Sequence, residues 1–329
     1  MKNRTLGTSG LLVPPISLGT MTFGTPVPEA DAIRIIHEAI DRGIYFLDTA
    51  NVYEGYARYL GSAGGVAEEI VGKAIHDRRD RVILTTKVGA PVGPGPQDRG
   101  LSRVHLLREL DKSLRRLRTD AIDLYMAHWP DRLVPLDTLL ETIDVAVQQG
   151  KVRHFGVSNH YGFQLAQLLA IAARDRRPRV VASQVPLSFL RRELHADLGF
   201  CAEHQIAVTP YQPLQGGLLT GKYRRGQAAP EGSRGAEKPE WMWKQDDLLY
   251  DRLERLEKLA QQHGHSLARY AMAWTLAQPA VTSLVVGVKR AEQLDDALAA
   301  ADIQLSAEEL RAIDAICPPP WMFPDPVRG

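Results

Sequence analysis

Short runs of β-branched and aliphatic residues alternate along the chain with longer stretches whose apolar positions recur at helical spacing. Thr5–Leu6 and Leu11–Val13 flank Gly7-Thr8-Ser9-Gly10 and predict a hairpin. Ile16–Gly19 then reads as a buried strand, followed by a helix over Ala30–Asp41 with Ile33, Ile36, Ala39 and Ile40 on one face and Gly43 closing it. The same unit recurs. Strands over Tyr45–Leu47, Val82–Thr85, Ile122–Met126, Val152–Val157 and Val180–Val185 lead to helices over Val66–Ile75, Arg103–Leu117, Leu136–Gln149, Phe163–Ala173 and Leu194–His204. Strand Ala207–Pro210 is followed, after a long interruption, by helices Leu248–Gln262 and Leu267–Leu276. Strand Leu284–Val288 leads to helix Glu292–Ala300, and a last amphipathic segment, Ala307–Ile316, ends before Pro318-Pro319-Pro320.

Eight strand–helix units at this spacing predict a closed parallel (β/α)8 TIM barrel rather than an open doubly wound sheet. The near-continuous apolar character of the strands agrees, because barrel strands are buried on both faces. No linker or shift in composition divides the chain, so residues 1–329 are expected to form a single barrel domain. Asn51–Gly65, Gly89–Gly100 and Lys222–Asp246 exceed the usual connection length and follow strands, which puts them on the active face of such a barrel. The tail Pro318–Gly329, with Trp321 and Phe323, is a further candidate for shaping a pocket there.

Composition narrows the function classes. Of 329 residues, 44% are hydrophobic and 24% charged, with a formal net charge of +1, so no global field recruits nucleic acid or an anionic membrane. The two cysteines, Cys201 and Cys317, stand in no ligand or redox spacing, and the ten histidines form no metal-spaced cluster. The N-terminus, MKNRTLGTSGLLVPP, lacks a signal-peptide pattern, and no apolar run is long enough to span a bilayer. A cytoplasmic protein is expected.

Polar residues at strand ends supply the candidate chemistry. The second barrel strand ends Phe46-Leu47-Asp48 with Tyr53 shortly after, and the third ends Thr85-Thr86-Lys87. The fourth ends Ala127-His128-Trp129, and the fifth ends Val157-Ser158-Asn159. The sixth contains Ser183-Gln184, the seventh runs into Tyr211-Gln212-Pro213, and the eighth ends Gly287-Val288-Lys289-Arg290. Each alone is more often a cap, a solvated charge or a packing residue. A barrel brings them to one rim. Reduction of a carbonyl needs a hydride on carbon, which a cofactor supplies, and a proton on oxygen. A phenol can give that proton when a lysine ammonium favours the phenolate, although free tyrosine titrates only near about pH 10. An aspartate orients the lysine, and a histidine polarises the carbonyl. Tyr53, Lys87, Asp48 and His128 supply the four groups.

These residues, in this order, resemble the aldo-keto reductase superfamily over essentially the whole chain. The likeness is closer to the branch of bacterial reductases and potassium-channel β subunits than to the aldose-reductase branch. It is carried by Leu18-Gly19-Thr20-Met21, Phe46-Leu47-Asp48-Thr49-Ala50, Asn51-Val52-Tyr53, Thr86-Lys87, His128, Gly156-Val157-Ser158-Asn159, Tyr211-Gln212-Pro213-Leu214, Gly217–Tyr223, and Gly287–Arg290 with Gln293. The resemblance implies that Tyr53 is the general acid, tuned by Lys87 and Asp48, with His128 orienting the substrate. It implies that Ser158, Asn159 and Gln184 bond the nicotinamide carboxamide, that Tyr211 stacks on the nicotinamide ring, and that Gln212, Leu214, Gly216 and Lys222 follow the pyrophosphate. Thr20, Met21 and Gln293 fall among the cofactor-site positions. Lys289, Arg290 and Arg234 match positions facing the adenosine 2′-phosphate, so NADPH is expected in preference to NADH. Two adjacent cations suit a phosphate dianion and have no electrostatic reason to open a helix. Two departures from the pattern stand out: Ala297 follows Asp296 where the family often has asparagine, and the Tyr56–Gly65 loop is longer than usual.

Competing readings explain less. Schiff-base chemistry at Lys87 leaves Tyr211 and Lys289-Arg290 without a purpose. The Gly61–Gly65 stretch lacks Gly-x-Gly-x-x-Gly spacing and reads as a glycine-rich entry to a helix. A cofactor-sensing binding protein like the channel β subunits is the main alternative, and the complete set of four reactive residues favours turnover instead. Trp129, Met21, His160 and the loops around Tyr56 and Trp241–Trp243 are expected to wall the substrate pocket. The partner is thus a small carbonyl compound, and the resemblance allows a homo-oligomer.

Overall fold

The computed structural model describes residues 1–194 and 197–319. Strands β1 (Arg4–Thr5) and β2 (Leu12–Val13) form the expected antiparallel hairpin, Arg4 opposite Val13. Leu6 and Val13 pack with Phe46, Leu124, Met126, Val181, Ala182 and Ala207. Because Phe46, Val181 and Ala207 lie at the starts of their strands, the hairpin seals the N-terminal end of the sheet. Gly7 permits this: its φ is +54°, and a Cβ there would lie 2.2 Å from the carbonyl oxygen of Val181.

The main sheet has eight strands: β3 (Ile16–Gly19), β4 (Phe46–Asp48), β5 (Ile83–Val88), β6 (Ile122–Ala127), β7 (Val152–Ser158), β8 (Val180–Gln184), β9 (Ala207–Val208) and β10 (Leu284–Gly287). All neighbours are parallel, in the order β10-β3-β4-β5-β6-β7-β8-β9. The ring closes between β9 and the segment entering β10. The Val208 amide donates to the Ala280 carbonyl at 2.8 Å, the Thr282 amide to the Val208 carbonyl at 2.8 Å, and the Val285 amide to the Pro210 carbonyl at 2.8 Å. The expected (β/α)8 barrel is thereby realised.

The outer helices are α1 (Glu29–Asp41), α2 (Val66–Ala74), α3 (Arg103–Leu117), α4 (Leu136–Gln148), α5 (Gly162–Asp175), α6 (Asp197–Glu203), α7 (Arg234–Glu237), α8 (Asp247–Gln262), α9 (Leu267–Leu276), α10 (Leu294–Ala300) and α11 (Ala307–Ile316). Their starts follow local chemistry. Ser102, Asp246, Ser266 and Ser306 each accept a hydrogen bond from a backbone amide in the first turn, and Glu309 returns one to complete a capping box at Ser306. Ala32, Ile35, Ile36, Ala39 and Ile40 make one buried face of α1.

Several boundaries differ from expectation. Strand β5 runs on to Val88, so Lys87 sits inside it rather than at its end, and β9 is only two residues long. The helix expected over Leu194–His204 is the shorter α6; residues 195–196 lie outside the described chain. Glu292–Ala300 is a 3-10 turn over Ala291–Gln293 followed by α10. Helix α7 lies inside the expected long loop. Trp321 and Phe323 lie outside the described residues. Among the described residues no helix is long and apolar enough to cross a membrane, and no group of three or more His, Cys, Asp and Glu is placed to hold a metal. Cys201 and Cys317 are buried and unpaired with each other, and burial pushes the Cys201 thiol up to about 12.

Candidate active site

Parallel pairing fixes which strand ends meet. Gly19 pairs with Asp48, Asp48 with Thr85, Val88 with Ala127, Ala127 with Val157, and Ser158 with Gln184, so the polar termini gather at one end of the ring. Asp48 closes β4 and Lys87 occupies the neighbouring strand, both buried. The Lys87 ammonium donates to Asp48 Oδ1 at 2.6 Å, to the Thr49 carbonyl at 2.9 Å and to the Tyr53 hydroxyl at 3.3 Å. Its three donors are therefore all used. Asp48 Oδ2 accepts from Gln184 Nε2 at 2.8 Å. Tyr53 reaches the site from the turn after β4, where its amide donates to the Ala50 carbonyl at 3.1 Å. The His128 ring meets the Tyr53 ring edge-on at 5.8 Å, and Trp129 stacks on His128 at 6.1 Å with half its surface exposed.

The electrostatics separate these groups. Burial disfavours the Lys87 cation, but the Asp48 carboxylate and the Tyr53 oxygen outweigh it and raise the ammonium above its ordinary value. Burial also raises the Tyr53 phenol, and the lowering pull of Lys87 does not overcome it. Lys87 pulls the phenol down as expected, and burial works against that pull, so the resting Tyr53 is protonated. Burial, then the cations Lys87 and Arg58, hold His128 well below the usual imidazole range, so it is neutral. Its Nδ1 is buried with no hydrogen-bond partner among the described residues.

The next ring of residues is tied together. Thr20 donates its hydroxyl to the Asp48 carbonyl at 3.0 Å, and Met21 sits half-buried beside it at the rim. Asn159, at φ +62°, donates its amide to the His128 carbonyl at 2.9 Å and to Ser158 Oγ at 3.1 Å. Its Oδ1 accepts the Tyr211 hydroxyl at 2.8 Å, which ties the Tyr211 ring to the end of β7. Gln212, at φ +58°, accepts from Arg191 at 3.1 Å through Oε1. His160 is buried with Nδ1 2.8 Å from the Ser158 carbonyl. It borders a cavity of about 280 Å³ between the starts of α4 and α5, which none of Asp48, Tyr53, Lys87 and His128 lines.

A second cluster is cationic. Leu214 packs half-buried on the core, and Gly216 and Gly217 follow at φ +67° and +96°. A Cβ on Gly216 would lie 3.3 Å from Met242 Sδ and 3.5 Å from Arg234 Cδ, so the segment carrying α7 passes close over this turn. Burial pushes the Lys222 ammonium down, and the nearby cations Lys289, Arg234 and Arg290 push it further. Lys289 donates to the Gly232 carbonyl at 2.7 Å and to Glu237 at 2.5 Å. Gln293 Oε1 accepts the Lys289 and Arg290 amides at 2.7 and 3.2 Å and so spends its oxygen on the turn itself. Ala297 is fully buried, and Asp296 pairs with Arg269. Sequence reasoning singled out the cations but missed Glu237, Arg58 and Met242. Glu237 closes the one-turn helix α7, and Arg58 and Met242 lie in loops, so neither an apolar periodicity nor a strand end marks them.

The closed parallel barrel thus gathers a Lys–Asp pair, a phenol and a neutral histidine at one end, with a cluster of cations on the loops beyond. The Aldo/keto reductase family model matches residues 15–318, and the chain belongs to this family. A Bacillus subtilis (strain 168) protein named Uncharacterized oxidoreductase YrpG is 38% identical, covering 96% of this chain and 95% of its own. The Probable voltage-gated potassium channel subunit beta of Arabidopsis thaliana is 32% identical over 92% of each chain. The L-glyceraldehyde 3-phosphate reductase of Escherichia coli (strain K12) is 32% identical over 95% of this chain and 92% of its own.

Proposed function

We propose that the protein reduces an aldehyde or ketone to the alcohol with NADPH, Tyr53 acting as the acid. The observation that carries this reading is the Lys87 ammonium, fully buried and within hydrogen-bond reach of both the Asp48 carboxylate and the Tyr53 phenol. Reduced nicotinamide, when bound, supplies the hydride that adds to the carbonyl carbon. The protein's task is then the oxygen. Tyr53, protonated in the resting site, donates its proton to the carbonyl oxygen as negative charge develops there, and Lys87 stabilises the phenolate left behind. Asp48 keeps the ammonium in place, and neutral His128 offers a hydrogen bond to the same oxygen without adding a charge. The phenolate regains a proton after the alcohol leaves.

The donor set suits a phosphorylated dinucleotide. Tyr211 provides a fixed aromatic face, Ser158 and Gln184 border it at strand ends, and one lone pair of Asn159 Oδ1 remains for a carboxamide amine. Gln212, Leu214, Gly216 and Lys222 form the run assigned to the pyrophosphate. The like charges of Lys222, Arg234, Lys289 and Arg290 call for a multiply charged anion between them. The second reading is an NADPH-sensing binding protein. It draws on the relative named as a channel β subunit, which is as similar to this chain as the relative named as a reductase.

The test is NADPH oxidation over a panel of aldehydes and ketones with wild type and Tyr53→Phe. Turnover should fall by about 10²–10⁴-fold in the variant while the NADPH dissociation constant changes little. Tight NADPH binding with no turnover of any carbonyl by the wild type would favour the sensing reading.

A further inference from the structure

Tyr56 lies in the loop between β4 and α2, and its backbone is pinned. Gly55 adopts φ +67°, and a Cβ there would fall 1.8 Å from the Thr25 carbonyl oxygen, so the turn presses directly on Thr25. The Tyr56 amide donates to that carbonyl at 2.9 Å and the Ala57 amide to Thr25 Oγ1 at 2.9 Å. From this fixed base the ring reaches two segments far away in sequence. Trp241 meets it edge-on at 5.3 Å with an interplanar angle of 79°. The Lys289 ammonium stands over its face, 5.2 Å from the centroid, and the Arg234 Nε lies 3.4 Å from its hydroxyl.

One ring thus touches two cations of the positive cluster, Arg234 and Lys289, which stand on separate segments. These cations repel each other and, with Arg290, also act on Lys222. Something must hold them side by side before an anion arrives. Glu237 holds Lys289 from one side. The electron-rich face of Tyr56 holds it from another, and the phenolic oxygen holds Arg234. We propose that Tyr56 is a specificity-determining positioning residue: it keeps Arg234 and Lys289 together so that the cofactor carrying the additional phosphate is retained. The proposal rests on the reading that this cluster binds the phosphates of NADPH. It links the loop beside the catalytic tyrosine to the grip on the distant end of the cofactor.

The experiment measures NADPH and NADH dissociation constants by nicotinamide fluorescence, without turnover, for wild type, Tyr56→Ala, Tyr56→Leu and Tyr56→Phe. Loss of the ring face and hydroxyl should weaken NADPH binding about 10-fold in the Ala and Leu variants and leave NADH within about 2-fold. Tyr56→Leu keeps the bulk, so a packing defect confined to the alanine variant is recognised. Tyr56→Phe, which keeps the face over Lys289, should restore most of the NADPH preference. Equal weakening of both cofactors, or an unchanged preference in Tyr56→Leu, overturns the proposal. A wild type that binds NADPH no tighter than NADH overturns the phosphate reading beneath it as well. Retained wild-type preference alongside an indifferent Tyr56→Leu sinks only the role of Tyr56.

Discussion

The Lys87 site and the Lys289 cluster are both built from charged side chains, yet they are held in different ways. Lys87 is a strand residue with no exposure, and its partners Asp48 and Thr49 come from the adjacent strand end, so pairing register alone sets their distance. Lys289 lies after a strand, is partly exposed, and takes Glu237 and Gly232 from a long segment that has no place in the sheet. The first site is pre-organised by the barrel. The second is assembled by contacts among loops, where solvent screens each pair and a single exposed ion pair is worth little. Rigidity of the first kind suits the reacting centre proposed above, and contacts of the second kind suit the proposed cofactor clamp, which must admit and release a large ligand.

The largest way to break this contrast is at Lys87. Removing one partner of a buried ion pair leaves the other charged without solvent, at a cost of about 3–5 kcal/mol. Lys87→Met should lose stability on that scale in denaturant unfolding, whereas Lys289→Met should change it by less than about 1 kcal/mol. Comparable losses in the two variants would erase the distinction drawn between the sites. Function should divide the other way. Replacing Lys289 and Arg290 together by serine should raise the Michaelis constant for NADPH by about 10–100-fold, from the loss of charge-assisted hydrogen bonds, with that for NADH far less affected. An unchanged ratio would remove the 2′-phosphate from this cluster.

A smaller effect sharpens the comparison through pH. His128 is held neutral, its folded pKa lying well below that of the unfolded chain. Its contribution to stability is present in full above about pH 6.5. It is lost as the pH falls from there toward the folded value, because the unfolded state takes up the proton first, at about 1.4 kcal/mol per pH unit. Wild type should therefore lose stability on acidification below about pH 6.5 more steeply than His128→Leu. Parallel acid limbs in the two proteins would show that burial does not govern this ring.

How far the sequence reached differs between the same two regions. Asp48, His128, Ser158 and Gln184 were legible because each interrupts an apolar strand near its end, and parallel strands of one ring must bring such ends together. Helices α3, α9 and α11 have the predicted bounds, since their apolar periodicity and serine caps are local. Lys87 was legible as a residue but misplaced, because the Thr85-Thr86-Lys87 run looks like the end of a strand that in fact continues to Val88. Helix α7 and the pairing of Lys289 with Glu237 left no such mark.

The eightfold alternation, the capped helices and the polar residues carried to the strand ends are written locally in the chain, because periodicity, capping and strand polarity act over a few neighbouring residues. That burial outweighs Lys87 at the Tyr53 phenol, that Gln184 turns its amide to Asp48, and that Tyr56 meets Arg234 and Lys289 emerge with the folded barrel. Desolvation depends on everything that surrounds a group, and contacts between segments more than a hundred residues apart are set by how loops settle on a finished barrel.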